Sequence, residues 1–136
     1  MNGTLVDSNV ILDILTGDAV WSDWSSASLA KCANEGVLCI NPLILAKVSI
    51  GFATFEELQV AMPESSFRNL PIPAEAAFLA GKVFLRYRRQ GGIRTTTLPD
   101  FFIGAHAAVS GLTLLTRDVK RYRTYFPTVI LIAPGA

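Results

Sequence analysis

Three short stretches of the chain each set a carboxylate where an apolar run stops or a helix starts. They are Leu5-Val6-Asp7-Ser8-Asn9, Leu98-Pro99-Asp100-Phe101-Phe102-Ile103 and Leu114-Leu115-Thr116-Arg117-Asp118. Asp7 and Asp118 each follow apolar residues, as an acid does at the carboxyl edge of a parallel sheet. Asp100 follows Pro99 at a helix start, where the macrodipole favours negative charge. Acids far apart in sequence but all at element ends can converge on one crevice beside a sheet. Carboxylates so gathered repel one another unless a cation lies between them, and oxygen-only ligands suit magnesium or manganese. The chemistry this points to is metal-dependent hydrolysis.

Each residue also has a local reading. Asp7 can be a turn or cap aspartate, although Ser8 or Asn9 can cap the following helix and leave Asp7 free for metal. Asp118 can cap the last helix. Asn9 and Thr116 are candidates to orient the carboxylates or metal-bound water, or else make only turn hydrogen bonds. Asp13, one turn after Asn9, reads as a solvated helix acid. His106 is the sole histidine. It follows Asp100 by about 600° of helix rotation, which turns it off the Asp100 face and makes it a packing or surface residue. No Ser–His–Asp set, Cys–His pair or glycine-rich phosphate loop is visible. Trp21 and Trp24 read as core or interface residues rather than stacking platforms for bases.

Taken together, the opening Leu-Val-Asp-Ser-Asn-Val-Ile-Leu-Asp, the Pro-Asp-Phe-Phe-Ile-Gly-Ala-His-Ala stretch and the late Leu-Leu-Thr-Arg-Asp resemble the PIN-domain ribonucleases. Among these they look most like the VapC-type toxins of bacterial type II toxin–antitoxin pairs. The resemblance covers essentially the whole chain, with the motifs in order. It implies a magnesium- or manganese-dependent endoribonuclease with Asp7, Asp100 and Asp118 as metal ligands. It also implies an RNA substrate, a homodimer, and a VapB-like antitoxin that fills the groove over the acids. The family carries a fourth acid, a glutamate, in the helix after the second strand. The stretch Asn41-Pro42-Leu43-Ile44-Leu45-Ala46-Lys47-Val48-Ser49-Ile50-Gly51-Phe52 aligns that position with Lys47. A positive charge there implies an inactive or impaired enzyme, or a homologue that binds its antitoxin or RNA without cutting.

Composition frames these expectations. A chain of 136 residues corresponds to one domain, residues 1–136, with a single core. Its 51% apolar content and mean hydropathy of +0.40 are high, so part of the surface is expected to be covered by a partner or a second copy. Lys31, Glu35, Lys47, Glu56 and Glu57 interrupt every apolar run long enough to suggest a membrane span. The start of the chain does not read as a signal peptide, and Cys32 and Cys39 form no Cys-x-x-Cys pair. Both points lead us to expect a cytoplasmic protein. A net charge of +1 argues against coating nucleic acid by charge alone. The charge is clustered, however: Lys82, Arg86, Arg88, Arg89 and Arg94 form one run, and Arg117, Lys120, Arg121 and Arg123 another. Flanking Asp100 and Asp118, these runs suggest a phosphate track, with Arg86, Arg88, Arg89 and Arg94 on the RNA backbone.

The elements that must position these residues alternate between strand and helix, which gives an α/β fold with a mainly parallel sheet. Strands are expected at 3–6, 37–40, 67–70, 113–116 and 128–132. Helices are expected from Ser8 or Asn9 to about Leu15, from Ser22 or Asp23 to about Asn34 with Gly36 in the C′ role, and from Pro42. Further helices are expected from Thr54, from Pro73 to Arg89 with Ala77, Leu79 or Ala80, Val83 and Phe84 on the apolar face, over 99–110 and over 119–125. A polar loop over 90–97 delivers Asp100.

Overall fold

The structure, a computed structural model, describes residues 3–91 and 98–135. Arg94 and most of the 90–97 loop lie outside the described residues. The elements run β1 (Gly3–Val6), α1 (Ser8–Thr16), α2 (Ser22–Glu35), β2 (Val37–Ile40), α3 (Pro42–Ser49), α4 (Phe55–Ala61), β3 (Arg68–Asn69), α5 (Ala74–Arg89), α6 (Leu98–Ser110), β4 (Thr113–Leu115), α7 (Val119–Tyr125) and β5 (Leu131–Ile132). The described strands form one five-stranded sheet in the order β3-β2-β1-β4-β5, with every pairing parallel. Short apolar strands with both faces covered by helices are what such a sheet requires. Leu5, Val6, Leu114 and Leu115 are fully buried in its two central strands.

This order reverses at β1. From β1 the chain steps to β2 and β3 on one side, then crosses to β4 and β5 on the other. The carboxyl ends of β1 and β4 therefore flank the switch point, where crevices open in sheets of this kind. Val6 pairs with Leu115, so Asp7 and the Thr116–Asp118 turn leave the sheet side by side.

Local chemistry explains most boundaries. Gly17 ends α1 in the left-handed region at φ 64°. Asn41 caps α3 by accepting from the Ile44 N–H, with Pro42 in the first turn. Thr54 and Glu57 form a reciprocal capping box on α4. Some expectations need correction. Asp7 itself caps α1, accepting from the Ser8 N–H, so neither Ser8 nor Asn9 does so. α2 does begin at Ser22, without a side-chain cap, but Gly36 is extended at φ 177° rather than left-handed, because the chain passes directly into β2. β3 and β5 are shorter than expected, each holding only the residues that reach a neighbouring strand. On α5 the buried face is Ala76, Ala80, Val83 and Tyr87, and Ala77 is exposed. The alanine run shows no contrast from which to fix that rotation.

α5 packs on α6, with Phe84 and Tyr87 against Phe101 at 5.8 and 5.4 Å between ring centres. Phe126 also packs against Phe101, at 6.1 Å between ring centres, and its ring lies over Gly104, where a Cβ would be 2.3 Å away. Gly104→Ala should therefore destabilise the fold by about 1–3 kcal/mol, although alanine is the better helix former. Chemical denaturation checks this, and a variant as stable as the parent would show that the ring can move aside.

Candidate active site

Asp7 sits at the end of β1, 3% exposed, and every contact of its carboxylate follows from the sheet order. Oδ1 accepts from the Ser8 N–H at 2.8 Å. Oδ2 accepts from Thr116 Oγ1 at 2.8 Å and from the Tyr122 hydroxyl at 3.2 Å. Thr116 is a hub: its hydroxyl also accepts from the Asp118 N–H at 3.0 Å and from Asn9 Nδ2 at 3.4 Å. Asn9 Oδ1 accepts from the Arg117 N–H at 3.2 Å. Asn9 and Thr116 thus fasten the turn after β4 to the first turn of α1.

Asp118 occupies the cap position of α7 but makes no side-chain cap bond. Its Oδ2 instead pairs with Arg121 Nη1 at 2.9 Å, one turn further along. Burial works against the Arg121 charge, but Asp118, Tyr122 and Asp100 outweigh it and raise its pKa. The guanidinium therefore feels two of the three acids from one place. Burial, then the Asp7 charge, pushes the Tyr122 phenol well above its usual range, so it stays a donor to Asp7.

Asp100 opens α6 and receives Lys47 from α3, with Nζ to Oδ1 at 2.5 Å. The two helices pack together, and the ammonium and carboxylate are mostly covered, at 31% and 14% side-chain exposure. Arg86, Arg88 and Arg89 are exposed in the last turn of α5. The contact between Tyr87 and Phe101 places that turn beside the start of α6.

The three acids are oxygen donors of the kind a hard dication takes, yet the site as built does not fit one. Lys47 occupies Asp100, Arg121 occupies Asp118, and Asp7 is fully engaged by three donors. Three carboxylates faced by two cations leave one unit of negative charge. Among the described residues, no group of three or more His, Cys, Asp or Glu side chains is set to hold a metal ion.

Three features escaped the sequence reading. Asp13 is not a solvated acid: it is 3% exposed and holds Arg117 by two bonds, from Nε at 2.6 Å and Nη2 at 2.9 Å. The pairing of Arg121, read only as one of a basic run, with Asp118 and the bond from the Tyr122 hydroxyl to Asp7 are the other two, and the spacing of three and four from Asp118 was the available signal. His106 is buried beside the site, its Nδ1 3.1 Å from Asn41 Nδ2, and Cys32 and Cys39 are buried free thiols.

Burial lowers the His106 pKa from 6.5. The unfolded chain then binds more protons than the folded one, so this stabilisation is complete above about pH 6.5 and is lost as the pH falls. His106→Asn should flatten the stability profile between pH 7 and 5 by up to about 1.4 kcal/mol per pH unit. Urea titrations that give parallel profiles would exclude His106 as the cause.

A family model described as "PIN domain" matches residues 4–127. A chain of the crystal structure of VapBC2 from Rickettsia felis bound to a DNA fragment from their promoter is similar at TM-score 0.76 and 20% identity, over 96% of this chain and 98% of that one. For VapBC-1 from nontypeable Haemophilus influenzae the TM-score is 0.72 at 16% identity, over 98% of each chain. For DNA-bound VapBC from Salmonella typhimurium it is 0.69 at 18%, again over 98% of each. At these identities the likeness is one of fold. Compared with the curated proteins, the chain has no match.

Proposed function

Since this chain belongs to the PIN-domain family, we propose that it is the toxin component of a VapBC-type toxin–antitoxin pair, an endoribonuclease scaffold whose catalytic centre Lys47 holds shut. The observation that carries this reading is the Lys47–Asp100 pair at 2.5 Å. A cation built into the chain stands against a site carboxylate, in the place a metal would take. With an acid at position 47, four carboxylates would face only Arg121, leaving three units of negative charge for magnesium or manganese to neutralise. Bound there, the metal would supply an activated water for attack on an RNA phosphodiester.

The rest of the reading concerns partners. Arg86, Arg88, Arg89 and Arg94 are proposed to track the RNA backbone. A VapB-like antitoxin and a second copy of the chain are proposed to cover apolar surface, of which Ile50, Phe55 and Val60 are 86%, 61% and 82% exposed. No described helix is long and apolar enough to cross a membrane.

The same lysine supports a second reading, a non-catalytic domain that engages antitoxin or RNA without cleavage. RNA cleavage separates the two. Lys47→Glu should cut RNA in magnesium or manganese and arrest growth when expressed without an antitoxin. A folded Lys47→Glu variant that cuts no RNA and is harmless to its host would leave the binding domain as the reading.

A further inference from the structure

The guanidinium of Arg121 has two partners at the site, the Asp118 carboxylate and the Tyr122 side chain, and neither engages its Nε. Nη1 meets Asp118, the plane lies over the Tyr122 ring at 6.0 Å to the centroid, and the side chain retains 21% exposure. Its Nε is buried and has no hydrogen-bond partner, the only such side-chain atom among the described residues. A buried donor left unpaired is destabilising, so the resting contact with Asp118 is an incomplete pairing. An arginine carries two adjacent donors in a rigid fork that matches two oxygens of one acceptor group. The two non-bridging oxygens of a phosphodiester are such a group.

We propose that Arg121 is a displaceable latch on Asp118 that transfers to a backbone phosphate of the RNA strand, pairing Nε and one Nη with its two non-bridging oxygens. This rests on the nuclease reading of the site and adds a substrate contact at the carboxylates themselves, apart from the exposed arginines of α5. The transfer satisfies the orphaned Nε and uncovers Asp118 in the same movement. It also holds the strand across the switch-point crevice, because Arg121 rises from the first turn of the helix that Asp118 begins. No covalent change is involved, so the latch operates in the chain as it stands, with Lys47 in place.

The test is binding of a fluorescein-labelled single-stranded RNA, followed by anisotropy over a range of salt concentrations. Arg121→Gln should weaken binding roughly tenfold and reduce the salt slope by about one phosphate contact. Arg121→Lys keeps the charge and the pairing to Asp118 but lacks the fork, so several-fold weakening is expected and unchanged affinity would overturn the proposal. Asp118→Asn should tighten binding by releasing the latch. That gain should vanish in the Arg121→Gln background, because the two residues act as one unit. An equal gain in both backgrounds would show that Asp118 acts only through bulk charge, and the latch would be wrong. If Arg121→Gln binds like the parent while Arg86→Gln with Arg89→Gln does not, the latch fails and the nuclease reading stands. A parent chain that binds no RNA overturns both.

Discussion

Lys47→Glu is expected to raise affinity for Mn2+ or Mg2+ by at least about 100-fold, measured by calorimetry on the folded chain. The Lys47 ammonium lies against Asp100 in a mostly covered position. At an effective dielectric of about 20, an ammonium and a carboxylate about 4 Å apart attract by roughly 4 kcal/mol. A dication must displace that contact before it can use Asp100, and each 1.4 kcal/mol of such competition costs about tenfold in affinity. The substitution removes the competitor and supplies a further ligand oxygen. Lys47→Met separates these contributions, since it removes the competitor alone and should fall between parent and glutamate variant. In the Lys47→Glu background, Asp100→Asn should abolish RNA cleavage without lowering the melting temperature, because losing one of several clustered carboxylates relieves repulsion. Equal metal affinity for Lys47→Met and Lys47→Glu would mean that position 47 contributes no ligand oxygen.

Chain order and element type were legible in the sequence because apolar runs alternate with capped, periodic segments. α7 and β2 have the expected bounds, and α3 opens on Asn41-Pro42 as its composition requires. The ends of β3 and β5 were not legible, since strand length there depends on how far the neighbouring strand extends. At the site, sequence indicates which residues can be acids but not what neutralises them. Asp7 was expected to leave capping to its neighbours, yet it caps α1 and also takes two hydroxyls. Nothing in the chain order of Thr116 and Tyr122 reveals that both hydroxyls meet one oxygen of Asp7. Likewise, a lone aspartate one turn along an amphipathic helix reads as solvated. Only the packing of α1 against α2 and the β4–α7 turn shows that Asp13 is enclosed.

Asp13 also carries the largest expected stability effect. Its carboxylate accepts from Arg117 twice and from Ser25 Oγ at 2.7 Å, and Arg117 lies over the Trp21 ring at 5.0 Å to the centroid. One buried acid therefore ties together α1, α2 and the turn that carries Asp118. Asp13→Ala strands a guanidinium that is only 28% exposed and a buried serine hydroxyl. Breaking a buried pair from one side costs about 3–5 kcal/mol, and the partial exposure of Arg117 places the expected loss near the lower end. For a domain of this size that is roughly a 10 °C fall in melting temperature. Asp13→Asn keeps an acceptor for Ser25 and should lose less. Arg117→Met removes the cation instead, and combining it with Asp13→Ala should cost less than the two separate losses together, because the charge no longer lacks a partner. Differential scanning calorimetry on the four proteins decides the matter. If Asp13→Ala melts within a degree or two of the parent, the pair behaves as an ordinary surface salt bridge, and the turn bearing Asp118 is held by Asn9 and Thr116 alone.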